Sequence, residues 1–240
     1  MTENTEQAPA IPLILNIEAA TDVCSVCLSR GVDVLSHQTS ETQNEHSRII
    51  TVLIQQCMSE VGLRLNDLEA VSVSEGPGSY TSLRVGFSTA KGICFALDKP
   101  LITISTLEAL AVAAHQVAQD SDALYCPMID ARRMEVYTVL FTADGNLVQP
   151  PQAMVIGQTA FEGYFSAGQR IIFCGNGAEK CKSVLNNQFA SFSKIKKCDS
   201  VQLILPAMKA FLNKNFSNTA CAVPQYLKAP NITSARPKPF

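Results

Sequence analysis

Glu75-Gly76-Pro77-Gly78-Ser79-Tyr80-Thr81-Ser82-Leu83-Arg84 is the stretch whose reading decides the fold. Before it, Ala70–Ser74 is a short apolar run and reads as a buried strand. After it, Ser79–Leu97 reads as a long helix, with Ser79 able to cap it. A strand that meets a helix through a glycine turn points to an α/β protein. Gly76 and Gly78 allow positive φ or a close backbone approach. Two readings of the turn stand side by side. It is a geometric device that launches the helix, or it is an anion site, because helix N-termini present unpaired N–H groups and a positive dipole end. In the second reading Gly76, Gly78 and Ser79 are the candidate contacts. No Gly-Lys-Ser/Thr follows, so the turn is not a Walker loop.

The helix has little polar surface. From Ser79 to Leu97 only Arg84 and Lys91 are charged. Leu83, Phe87, Ala90, Cys94 and Leu97 make one apolar face, and Ser82, Gly86, Thr89, Ile93 and Ala96 make a second face of small or apolar residues. Such a helix is buried on more than one side. One side covers a sheet; the other needs a helix or another chain. Gly86 and Gly92 each weaken an isolated helix by about 1 kcal/mol relative to alanine, which makes sense where a second helix comes close. His46–Val61 is the neighbour expected: Ile49, Ile50, Leu53, Ile54, Cys57, Met58 and Val61 form a wide stripe, and Gly62 stands where a left-handed stop would sit. The candidate partner interface is therefore His46, Ile50, Leu53, Ile54 and Cys57 with Tyr80, Leu83, Arg84, Gly86, Phe87 and Ala90. The competing reading makes both ordinary core helices.

Further out, Leu13–Ile17, Val23–Leu28 and Val32–Thr39 read as a three-stranded meander. Pro100–Ser105 is a strand and Thr106–Gln119 a helix, with Thr106 as its N-cap. Beyond Asp120-Ser121-Asp122 the pattern restarts: strand Tyr125–Ile129, turn Asp130–Arg133, strand Met134–Phe141. Later come strand Arg170–Cys174, the loop Gly175-Asn176-Gly177, and helices Ala178–Leu185 and Ser200–Asn215. An apolar strand ends at an acid twice, at Glu18 and at Asp130, a faint internal repeat. The expected organisation is a flexible tail at 1–10, an N-terminal lobe at 11–119, a C-terminal lobe at 120–228 whose last helix packs back on the first, and a tail at 229–240.

Glu18 would position a metal or a nucleophile in a phosphotransferase of this plan. Phosphate hairpins also want glycine, and Ala19-Ala20-Thr21 has none, so an exposed turn acid is the simpler reading. His37, His46 and His115 lack zinc spacing, and His46 reads as a capping or interface residue. No GxSxG is present. Nine scattered cysteines fit a reducing cytosol, and Cys24 and Cys27, inside a strand, read as structural. Lys194, Lys196 and Lys197 read as a solvated patch. A net charge of -2 argues against autonomous nucleic-acid binding. The first ten residues have no basic region of a signal peptide, and the apolar runs are too short to span a bilayer.

Leu15-Asn16-Ile17-Glu18-Ala19-Ala20-Thr21 with Cys24-Ser25-Val26, His46-Ser47-Arg48, Gly76 to Gly86, Ser105-Thr106-Leu107-Glu108-Ala109-Leu110 and Ile129-Asp130-Ala131-Arg132 together resemble the TsaB (YeaZ) family. The resemblance covers nearly the whole chain and is strongest from Leu13 to Ala113. It implies a two-lobed α/β ASKHA fold (the actin-like, sugar-kinase and Hsp70 architecture, RNase H-like in each lobe) with mixed sheets and flanking helices. It also implies a cytoplasmic role in forming N6-threonylcarbamoyladenosine in tRNAs that read codons starting with A. The implied partners are TsaD, the catalytic paralogue, and the ATPase TsaE, with tRNA met only through the complex and a homodimer formed when the chain is alone. No catalytic residue, metal or cofactor is implied for the chain itself. TsaD has a metal site resembling His-Met-Glu-Gly-His; the matching run here is Thr106-Leu107-Glu108-Ala109-Leu110, and neither threonine nor leucine replaces a histidine ligand. Glu18 stands where the family has aspartate, and Ala19 where threonine or serine is common. The alternative is an enzyme of the same fold, metallopeptidase-like or nucleotide-dependent.

Overall fold

A computed structural model describes residues 11–42 and 45–228. The tails expected at 1–10 and 229–240 lie outside the described residues. Two five-stranded sheets form the frame, and they share one plan. The first runs β3-β2-β1-β4-β5, from β1 (Leu13–Glu18), β2 (Cys24–Arg30), β3 (Asp33–Ser40), β4 (Ala70–Gly76) and β5 (Leu101–Ser105). The second runs β8-β7-β6-β9-β10, from β6 (Leu124–Asp130), β7 (Glu135–Phe141), β8 (Leu147–Val155), β9 (Ile171–Cys174) and β10 (Ala190–Phe192). In each, the first three strands are antiparallel neighbours and the last two add in parallel. The repeat read from Glu18 and Asp130 is thus a repeat of topology.

Strand β1 is buried along its whole length, as its continuous apolar run requires. Side chains alternate across a strand. Leu13, Leu15 and Ile17 enter a core shared with α1 (His46–Glu60) and α2 (Tyr80–Leu97). Ile14 points the other way, into a core with Ala109, Leu203 and Ala207. That second face is covered by α3 (Thr106–Ala118) and α6 (Ile204–Leu212). α1 ends as expected at Gly62, which adopts φ +68°.

Helix α3 is wedged between the sheets. Its Ala109 faces the first, while Leu107, Leu110, Ala111 and Ala114 pack with Tyr125, Ile129, Val139 and Ile172 of the second. Seven alanines and leucines account for most of this helix; small residues allow a helix to be enclosed on both sides. Its cap is Ser105, whose Oγ accepts from the Glu108 N–H at 3.4 Å, and Thr106 is the first helical residue. The expectation of Thr106 as cap is off by one. On the outer face of the second sheet, Phe161 and Phe165 beside α4 (Glu162–Ser166), and Ala178 and Cys181 of α5 (Ala178–Cys181), close a separate core.

The helix expected at Ser200–Asn215 is a 3-10 turn, Ser200–Leu203, followed by α6. The chain then returns to the first sheet, where Ser217 bridges to Leu101. Residues 218–228 form a strap along α2. The Lys91 ammonium donates to the carbonyls of Ala220 and Ala222 at 3.2 and 2.8 Å. The Gln225 N–H donates to the Glu75 carbonyl at 2.7 Å. Tyr226 packs on Tyr80 with ring centroids 4.7 Å apart. No helix among the described residues is long and apolar enough to cross a membrane.

Candidate functional site

The glycine turn is filled by protein. The Ser79 N–H donates to the Ala20 carbonyl at 2.7 Å, and Ser79 Oγ accepts from the Ser82 N–H at 3.4 Å. A Cβ on Gly78 would lie 2.1 Å from that same Ala20 carbonyl oxygen. Gly76 holds φ +110° with the Gln225 carbonyl 2.6 Å from where its Cβ would be. The donors and space an anion would use are thus taken by the first hairpin and the strap. Gly76, Gly78 and Ser79, weighed as anion contacts, are instead packing positions, which corrects that reading.

Glu18 is not the exposed turn acid expected. It is 1% exposed, because the segment from Cys198 to Leu203 crosses the end of β1 and seals it: Ser200 N–H donates to Ser25 Oγ at 2.8 Å, one strand away. The Ala20 N–H donates to Glu18 Oε1 at 2.5 Å. Burial dominates those contacts and raises its pKa to about 7. Its neighbours on the same sheet face form a closed polar network. Asn16 Nδ2 donates to the Ile14 and Cys27 carbonyls and to Ser29 Oγ, and Ser72 Oγ donates to Asn16 Oδ1 at 2.6 Å. In the unfolded chain Glu18 titrates near 4.5, so between that pH and 7 the folded state holds the extra proton. Stability from the protonated carboxyl is full below about pH 4.5 and is lost as pH rises through 7, by about 3 kcal/mol in all. Glu18→Gln removes this dependence. Denaturant titrations at pH 5 and pH 8 are expected to show the substituted protein gaining on the natural one at pH 8. Equal differences at both pH values would contradict a buried titrating carboxyl.

The positions that match the TsaD metal ligands lie on α3 and are buried. Thr106 and Leu110 are both fully covered. Leu110 reaches toward Gly175, where a Cβ would come within 3.1 Å of its Cδ1. Thr106 Oγ1 has no hydrogen-bond partner, yet a single hydroxyl beside a leucine is no site for a transition metal. Among the described residues no three His, Cys, Asp or Glu side chains gather as a ligand set. The residues present do not fit the metal of the catalytic paralogue.

The partner interface is where the structure corrects the sequence reading most. His46, Ile50, Leu53, Ile54, Cys57, Leu83, Phe87 and Ala90 are all buried within the chain, most of them in the core of the first sheet. Gly86 faces that core too, its Cβ position 3.0 Å from Ala19 Cβ and 3.6 Å from Val73 Cγ2. The apolar stripe of each helix went where the largest apolar area is removed from water, onto the sheet. Of the residues expected at the interface only Tyr80 and Arg84 are exposed. His46 acts as a tie, its Nε2 3.0 Å from the Thr21 carbonyl.

What α1 and α2 present outward is a different set. Ile54, Met58 and Ile93 floor a groove of about 480 Å³ between the helices, with Thr51, Gln55, Ser88 and Thr89 on its walls and Gly92 at its edge. Nothing lies within 4 Å of a Cβ placed on Gly92. Val52 is 45% and Phe95 86% exposed nearby. The signal for this surface was present in the sequence as the near absence of charge on α2.

Other candidates resolve as structural. Cys24 and Cys27 are buried in β2 and burial pushes both thiols up to about 12. Lys196 pairs with Glu179 at 3.1 Å and Lys197 with Glu41, as exposed ion pairs. Asp130 is exposed and pairs with Lys180.

Comparison with known proteins follows this geometry. Residues 33–233 match the family TsaD: tRNA N6-adenosine threonylcarbamoyltransferase. The tRNA threonylcarbamoyladenosine biosynthesis protein TsaB of Haemophilus influenzae is 38% identical over 125 residues, 52% of this chain and 51% of that protein. The chain thus matches about half the length of that relative. YeaZ from Pseudomonas aeruginosa has the same fold, with a TM-score of 0.76 at 21% identity over 90% of this chain and all of that one. The activator of the 2-hydroxyisocaproyl-CoA dehydratase from Clostridium difficile, solved with ADPNP, aligns with a TM-score of 0.51 at 9% identity, over 86% of this chain and 98% of that one. Two sheets of one plan, and these likenesses, make this an ASKHA fold. The chain belongs to the tRNA N6-adenosine threonylcarbamoyltransferase (TsaD) family, and within it to the TsaB (YeaZ) branch.

Proposed function

We propose that this chain is a non-catalytic subunit in the formation of N6-threonylcarbamoyladenosine in tRNA, docking a TsaD-like catalytic paralogue through the outward faces of α1 and α2. A TsaE-like ATPase joins the pair, and tRNA is met only through the complex. Alone, the chain pairs with a second copy. The observation that carries the reading is the groove between α1 and α2. Two helices that face water are normally lined with charge, yet here the outward faces are Ser, Thr, Gln, Gly and exposed Phe95. Depletion of charge around aromatic anchors is the mark of an interface core. The filled hairpin at Ala20 and the leucine at position 110 weigh against an enzyme of the same fold acting through this chain. Cysteines that are all free support a reducing cytoplasm. We also infer that the first lobe is residues 11–119 completed by 199–228, and that the second lobe lies between them.

The test is co-purification with the TsaD homologue of the same organism, followed by a threonylcarbamoyl-transfer assay on tRNA. Modification is expected only with both chains present. Full activity of the TsaD homologue without this chain, or transfer by this chain alone, would overturn the proposal.

A further inference from the structure

We infer that the docking partner is a protein surface that places a carboxylate, from an aspartate or glutamate, against Arg84. The inference rests on docking through α1 and α2 as proposed above, and it adds which partner chemistry that face selects.

The groove has a second hollow at its other end, about 440 Å³, lined by Ser47, Tyr80, Thr81, Arg84, Ser88 and Thr89. Tyr80, Arg84 and Ser88 follow one another at four-residue spacing and so share one stripe of α2. The Arg84 guanidinium lies 5.2 Å over the Tyr80 ring. Tyr80 is held from behind by Tyr226 of the strap. A cation stacked on a supported aromatic ring is oriented before any partner arrives.

Arg84 is also the cation on these helices that nothing engages. Charges on α1 and α2 are few: Arg48, Glu60, Arg84 and Lys91. Arg48 lies 3.8 Å from Glu45. Glu60 accepts from Ser36 and Gln38 on β3. Lys91 is spent on the strap carbonyls. Arg84 meets only the Tyr80 hydroxyl at 3.5 Å, and no carboxylate among the described residues pairs with it.

Closing a surface over an unpaired guanidinium costs several kcal/mol unless the incoming surface brings a counter-ion. The hydroxyls of Ser47, Thr81 and Ser88 around it are neutral donors suited to the remaining lone pairs of a carboxylate. A nucleic-acid backbone fits less well, since it needs a row of cations and this face offers one. A second copy of the chain fits less well too: the only carboxylate on α1 and α2 is Glu60, already hydrogen-bonded to β3. The same feature therefore favours a heterologous acidic partner over self-pairing.

The experiment measures the dissociation constant for the TsaD homologue with the natural chain, Arg84→Leu, Arg84→Lys, Arg84→Glu and Gly92→Leu, at 50 mM and 500 mM salt. Self-association of each is followed by sedimentation. Arg84 is exposed, so unchanged melting temperatures are expected across its series. Arg84→Leu is expected to weaken binding about 30-fold or more, Arg84→Lys less and Arg84→Glu more. Salt is expected to weaken the natural pair and to leave Arg84→Leu nearly unaffected. Self-association is expected to survive Arg84→Leu. If Arg84→Leu and Arg84→Glu bind within about threefold of the natural chain while Gly92→Leu does not bind, the carboxylate is wrong and the docking face stands. If Gly92→Leu binds normally as well, the docking face itself is wrong. A gel shift of free tRNA by this chain alone that disappears in Arg84→Leu would overturn the assignment to a protein carboxylate.

Discussion

Gly92→Leu is expected to abolish pairing with the TsaD homologue while leaving the chain folded and slightly more stable. Gly92 sits mid-helix on α2 at the edge of the groove, and nothing lies within 4 Å of a Cβ placed there. Replacing a helical glycine removes a backbone entropy cost of up to about 1 kcal/mol. A leucine side chain would project into the space a partner helix needs. Overpacking a formed interface costs about 1–3 kcal/mol, and toward the upper end Kd rises roughly 100-fold. Sedimentation and calorimetry read the loss, and a melting curve reads the fold. The choice of position matters. Gly86, six residues earlier and the natural choice from the sequence, points at Ala19 and Val73, so Gly86→Leu is expected to damage the core and to say nothing about partners.

Gly78→Ala is expected to leave little or no folded protein. One added methyl would sit 2.1 Å from the Ala20 carbonyl oxygen and 2.8 Å from its carbon. Both atoms are backbone, so no rotamer change relieves the clash. The first hairpin and the start of α2 would have to part, which also breaks the Ser79 to Ala20 hydrogen bond. A penalty above about 4 kcal/mol is the scale for such a change, against a total stability of about 5–15 kcal/mol for a domain. Soluble yield and the melting temperature check it. Gly92→Ala is the control, with the same chemical change, open space, and an unchanged or raised melting temperature expected. A folded, soluble Gly78→Ala protein would show that the turn tolerates a gap the structure does not contain.

Much of the architecture was legible because its signals are local. The runs at Leu13–Ile17 and Tyr125–Ile129, the stripe on His46–Val61 and the cap at Ser79 depend on neighbours in sequence, and strands or helices stand there. What escaped depends on distant parts of the chain. β8 carries Pro150 and Pro151 and little alternation, so it gives no strand pattern; as an edge strand it needs fewer ladder bonds and accepts proline. β10 is three residues long. Glu18 reads as exposed because nothing near it in sequence hints that Cys198–Leu203 will cover it. At the interface, periodicity identified two-sided helices but not which side meets the sheet. The larger apolar stripe went inward, and the uncharged remainder was left for a partner.

Helix α3 touches both sheets with opposite faces. The two halves of the molecule therefore share one wall rather than meeting across a hinge. Rotation of one half against the other would have to drag α3 through packing of close to crystalline density. Backbone amides of α3 are then expected to exchange with deuterium only when the whole molecule opens, at the same slow limit for contacts on either side. A body of this kind cannot close on a ligand the way a two-jawed enzyme does. It moves as a single block, and whatever contacts α1 and α2 gain is felt at the far sheet as displacement, without change of shape.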